Sequence, residues 1–146
     1  MQVEELPTIY GNGLVCFGSF QDVSKNIAKL WVGHKQTEEE PMVFFQSRDL
    51  PGEIKNSKHK YSVFLGYNEK PKLCPEFKTI EIPGGKFLTV VHKGSYNKLK
   101  FAYDTLQEEI NRKKYKVRDF PLEYYLNDYH HVGEDELLTK VMFPIE

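Results

Sequence analysis

Gly94-Ser95-Tyr96, with Pro83 upstream of it, repeats Pro7 and Gly18-Ser19-Phe20 at a constant shift of 76 residues. Further along, Pro121-Leu122-Glu123-Tyr124-Tyr125 repeats Pro41-Met42-Val43-Phe44-Phe45 at a shift of 80, and Thr139, Val141 and Phe143 repeat Tyr61, Val63 and Leu65 at 78. The same signals run between these anchors in both halves. Residues 3–20 read as an extended stretch broken at Gly11-Asn12-Gly13. Val23, Ile27, Leu30 and Trp31 then form one helical stripe. Short strands follow at 42–46 and 61–67. In the second half, 77–82 alternates as a strand, Pro83-Gly84-Gly85 marks a turn or bulge, and 86–92 continues as a strand. Leu99, Tyr103, Leu106 and Ile110 form the second stripe, and 122–127 and 137–145 close the chain.

Each half therefore reads strand, helix, strand, strand. This order predicts an α+β fold: a duplicated unit with pseudo-twofold symmetry, its antiparallel sheet carrying both helices on one face and a ligand cleft on the other. The boundaries read as repeat 1 over about 1–67, a linker over about 68–76 and repeat 2 over about 77–146. No Gly-Ser linker separates them, so residues 1–146 are expected to form one domain. Asp49-Leu50-Pro51-Gly52 is turn chemistry, followed by a basic loop at 55–60.

Composition narrows the function classes. Twenty Lys and Arg against 21 Asp and Glu leave a net charge of −1, which supplies no field for nucleic acid. The basic run from Asn111 to Lys116 reads as a solvated helix end. Cys16 and Cys74 are too few for a disulfide framework and lack metal spacing, which fits a reduced cytoplasmic setting. No signal peptide or membrane span is legible. The unusual number is the aromatic content of 14%, which serves either a dense core or a pocket for flat ligands.

Glu123 is the foremost chemical candidate. It shares a strand face with Tyr125, and the matching position of the first half, at a shift of 80, is Val43. A carboxylate inside an aromatic run either reaches water or a lysine, or waits in an apolar pocket for a cationic ligand. His130, His131 and Glu134 match no metal pattern and read as a hairpin loop. His92 reads as a half-buried, hydrogen-bonded side chain. A Cys16–His92 pair lacks anything to activate the thiol. The glycine pairs are turn glycines rather than phosphate loops, and no cofactor is expected.

The segment Ile82-Pro83-Gly84-Gly85-Lys86-Phe87 through Val91-His92-Lys93-Gly94-Ser95-Tyr96 resembles the central signature of the GyrI-like small-molecule-binding domain, the effector-binding part of AraC- and MerR-type multidrug-sensing activators. Leu30-Trp31 and the closing strands from Phe120 to Asn127 and from Leu137 to Ile145 are similar to that family too. The resemblance implies a duplicated fold and an aromatic pocket in which a glutamate, here Glu123, meets lipophilic cations beside Tyr125. Phe45, as the duplicate of Tyr125, together with Trp31 and Tyr10, would complete the apolar wall. It also implies two alternatives: hydrolysis of reactive genotoxins with Glu123 as general acid or base, and inhibition of gyrase. The activators carry a DNA-binding domain ahead of this one, whereas here a strand begins almost at Met1. The expectation is a standalone binding module without direct nucleic-acid contact, with a regulator or gyrase as a protein partner.

Overall fold

A computed structural model describes residues 1–19, 22–33, 40–48, 59–71, 76–127 and 131–146. The turn and basic loop through 49–58, part of the linker with Cys74, and His130 lie outside the described residues. The chain is α+β and consists of two compact units, Thr8–Pro83 and Gly84–Glu146 together with Met1–Pro7. The elements are β1 (Gln2–Leu6), β2 (Ile9–Gly18), α1 (Val23–Gly33), β3 (Met42–Ser47), β4 (His59–Tyr67), β5 (Lys78–Ile82), β6 (Gly85–Lys93), α2 (Leu99–Lys113), β7 (Leu122–Tyr125) and β8 (Leu138–Ile145).

The first unit is an antiparallel sheet in the order β5-β2-β4-β3. The second has the order β1-β6-β8-β7. The opening strand of each sequence repeat thus pairs within the opposite unit: β1 lies on β6, and β5 lies on β2. The break in the first extended stretch falls at Pro7-Thr8, not at Gly11-Asn12-Gly13. β2 runs straight through those glycines because it is paired on both sides there. Gly13 is required by close approach: a Cβ would lie 2.6 Å from both Ile80 Cδ1 and Phe64 Cβ. Gly85 is required by conformation, since its φ of +139° starts β6 in a region other residues avoid.

Strand β1 is held to its unit by a polar latch. Lys140 Nζ lies 2.6 Å from Glu4 Oε2, and Thr89 Oγ1 donates to the same oxygen at 2.6 Å. The Lys140 hydrogen bond, followed by that of Thr89, holds the Glu4 carboxyl below its ordinary range.

The second helix stripe behaves as its spacing requires. Leu99, Ala102, Leu106 and Ile110 of α2 are buried against Leu88 of β6 and Val141, Phe143 and Ile145 of β8. α2 ends at Lys114, whose φ of 57° closes the helix in the left-handed region. On α1 only Leu30 is buried, and Trp31 is 44% exposed. β7 stops at Tyr125, short of Asn127. The Asn127 side chain continues the ladder instead, accepting from Leu138 N at 2.8 Å and donating to Glu136 O at 3.0 Å.

Strand pairing also corrects how the copies match. Val63 pairs with Phe45, and Val141 pairs with Glu123. Because Val63 and Val141 correspond, the counterpart of Glu123 is Phe45 rather than Val43, and the counterpart of Tyr125 is Ser47. Matching the prolines before each strand misplaced the register by two residues, which a flat strand does not penalise because faces repeat every second residue.

Candidate functional site

Glu123 sits on β7 directly after Leu122, and both are buried. Its register partner Val141 belongs to the core beneath α2, so Glu123 and Tyr125 point to the sheet face that the helix covers. The carboxylate was expected on the side away from the helices; it lies instead at the helix–sheet interface of its unit. Only 8% of the residue is exposed.

Two phenols meet it there. Tyr103, from the apolar stripe of α2, donates to Glu123 Oε2 at 2.5 Å. Tyr125 donates to Oε1 at 3.0 Å. Each carboxylate oxygen thus holds one hydroxyl. Further rings surround the pair: Tyr96 meets Tyr125 edge-on with centroids 5.6 Å apart, and Tyr103 meets Phe143 edge-on at 6.1 Å. Among the described residues no lysine, arginine or histidine forms an ion pair with Glu123.

The electrostatics follow from this arrangement. Burial pushes the Glu123 carboxyl above its ordinary range, while the hydrogen bonds from Tyr103 and Tyr125 oppose that rise. Burial, together with the neighbouring carboxylate, drives both phenols well above theirs, so they remain neutral donors. Such a group can do two things. Ionised, it offers a desolvated negative charge ringed by aromatic faces. Protonated, it is an acid with a pKa shifted toward neutrality.

The other expected residues belong to the first unit. Phe45 is buried against the rings of Tyr61, at 5.4 Å, and His59, at 6.5 Å. Tyr10 is half-buried with Lys70 Nζ 5.6 Å from its ring centroid. Trp31 is on the outer part of α1. Glu123 and Tyr125 are therefore brought together, with Tyr103 and Tyr96 beside them. Sequence reasoning had missed these last two. Their signal was a hydroxyl at a stripe position: Tyr103 stands where the first helix has Ile27, and Tyr96 where the first repeat has Phe20. His92 places Nε2 3.0 Å from Ser95 O. Burial raises the Cys16 thiol pKa, away from nucleophilic thiolate. No group of three or more metal-ligating side chains occurs among the described residues.

The duplicated strand-helix-strand-strand scaffold agrees with a sequence match to the GyrI-like small molecule binding domain over residues 2–146. The chain belongs to the GyrI-like family. Its fold is similar to the C-terminal domain of EcmrR, with a TM-score of 0.83 at 21% identity, covering 99% of this chain and 96% of that one. Against EcmrR in its complex with DNA the TM-score is 0.78 at 22% identity over 99% of this chain, and this GyrI-like chain spans 56% of that protein. SAV2435, in a structure bound to tetraphenylphosphonium, is similar at a TM-score of 0.65 and 13% identity, covering 99% and 93% of the two chains. A hydrolase from Listeria innocua is similar at 0.67 and 11%, covering 99% and 91%. At these identities the likeness is one of fold.

Proposed function

We propose that this GyrI-like chain binds lipophilic cations with Glu123 as the countercharge. One observation carries the reading: a desolvated carboxylate held by Tyr103 and Tyr125 has no cationic partner among the described residues. A structural ion pair would supply that partner from the chain itself. A ligand cation would meet the charge in a low-dielectric setting, with ring faces adding about 0.5–2 kcal/mol each. The fold likeness to SAV2435, seen with tetraphenylphosphonium, points the same way.

A thermal-shift titration of tetraphenylphosphonium and cationic dyes against wild type and Glu123→Gln tests this. Ligand at about 100 times Kd stabilises the native state by about 2.7 kcal/mol, or roughly 8 °C for a chain of this size. The shift should vanish in the variant for cations and persist for neutral analogues. Equal loss for both ligand types rejects the countercharge.

The raised Glu123 carboxyl also favours a second reading, a hydrolase in which this residue acts as general acid or base. Multiple turnovers of an electrophilic substrate by wild type, absent in Glu123→Gln, would establish it. Stoichiometric retention of unchanged compound would leave binding alone.

A further inference from the structure

Thr139 on β8 is fully buried, and its Oγ1 has no hydrogen-bond partner among the described residues. A buried hydroxyl without a partner destabilises the free fold and asks what would satisfy it. Its place is informative. Thr139 is paired with Tyr125 on one side and His92 on the other, on the face that carries Glu123. Glu123 and Thr139 are diagonal neighbours across β7 and β8.

The duplication supplies an internal control. The register counterpart of Thr139 is Tyr61, whose hydroxyl accepts a hydrogen bond from Asn26 of α1 at 2.8 Å. At the helix position matching Asn26, with the same shift of 76 that superposes Leu30 on Leu106, α2 has Ala102. At this register position the first unit satisfies its hydroxyl from the helix, and the second retains a hydroxyl but lacks the helix partner; on the opposite face of β4, Ser62 Oγ of the first unit is likewise buried with no hydrogen-bond partner among the described residues. That second unit is the one with the carboxylate.

The neighbouring polar groups specify the missing partner. Each Glu123 oxygen has already received one phenol and can accept further. Thr139 Oγ1 can accept as well. Diagonal neighbours lie about 7–8 Å apart, within the reach of one group that donates to both side chains. We infer that the cation held by Glu123 carries at least two N–H bonds, as in a protonated lipophilic primary or secondary amine, and that Thr139 is the specificity-determining acceptor for the second. This rests on the cation-binding reading above and names the ligand class within it. A quaternary cation would gain the charge attraction but leave Thr139 unsatisfied.

Calorimetric titration of the full chain with benzylhexylammonium and with benzylhexyldimethylammonium tests it, because charge and skeleton are shared and only the N–H bonds differ. Wild type should prefer the former by about 10-fold or more, the range for a hydrogen bond to a charged group. Thr139→Val keeps the branched shape and should abolish the preference by weakening only the N–H cation. Thr139→Ser should retain it. The free Thr139→Val protein should melt at or above wild type, since an orphaned hydroxyl is gone. Equal affinities in wild type, or a preference that survives in Thr139→Val, overturn the inference while leaving cation binding intact. Failure of both ligands to bind wild type overturns the cation reading and this inference together.

Discussion

Glu123→Gln and Glu123→Ala should have opposite effects on the free protein. Alanine leaves the hydroxyls of Tyr103 and Tyr125 without their acceptor. Each orphaned buried hydroxyl costs about 1–3 kcal/mol, so the pair loses roughly 2–6 kcal/mol, before any cavity is counted. At about 2–4 °C per kcal/mol for a chain of this length, Tm should fall by roughly 10 °C. Glutamine keeps the volume, and a neutral amide removes a desolvated charge. Because a phenol both donates and accepts, one tyrosine can give to the amide oxygen and the other receive from its nitrogen. The glutamine variant should therefore match or exceed wild type at pH 7. The pH dependence adds a second readout. The folded carboxyl titrates above its ordinary value of 4.5, so the folded state holds its proton more tightly than the unfolded one. Wild-type stability is then fully present below about pH 4.5 and falls as pH rises through the raised value. Glutamine abolishes that fall, and the gap between the two proteins should close in acid. Urea melts at pH 4 and pH 7 read both effects. A glutamine variant as unstable as the alanine one, at both pH values, would refute the reasoning, because the charge would then be part of what holds the fold.

Two further outcomes follow from the same contacts. Removing a donor with Tyr103→Phe lets the Glu123 carboxyl climb further, since that hydrogen bond opposes its rise; cation binding, which needs the ionised form, should then weaken with falling pH from a higher starting point than in wild type, as a pH series of binding isotherms would show. Gly13→Ala should lower stability by about 1–3 kcal/mol in a denaturant melt, the range for overpacking, because its methyl would lie 2.6 Å from Phe64 Cβ and Ile80 Cδ1, with β4 and β5 unable to separate without losing their ladders.

What could be read from the chain, and what could not, divides along physical lines. Helix α2 was legible because Leu99, Leu106 and Ile110 recur at helical spacing and are the residues buried. The succession of extended and helical segments along each repeat was legible from alternation and turn residues. Pairing partners were not, since alternation along residues 77–82 states that a strand has two faces and not which strand lies beside it. The exchange of β1 and β5 between units was therefore invisible. The glycines at 11 and 13 carried a turn signal, yet glycine serves close approach as readily as a bend, and only the neighbouring Phe64 and Ile80 decide which. Glu123 was found as an anomaly of charge. Its donors were not, because a tyrosine in a stripe counts as apolar until a carboxylate is placed opposite it.

The corrected register shows where the two copies diverged. With Phe45 as the counterpart of Glu123, the first unit packs its helix-covered face with the rings of Phe45, His59 and Tyr61 and satisfies Tyr61 from Asn26. The same face of the second unit holds a desolvated carboxylate and a threonine hydroxyl with no hydrogen-bond partner among the described residues. Both features oppose stability, and both lie on one face of one copy. The rest of the second unit's core, around Leu88, Leu106 and Ile145, is buried and apolar. On the cation-binding reading proposed above, these buried groups keep hydrogen-bond capacity open for a ligand. The carboxylate should therefore contribute to the stability of the ligand complex and detract from that of the free protein.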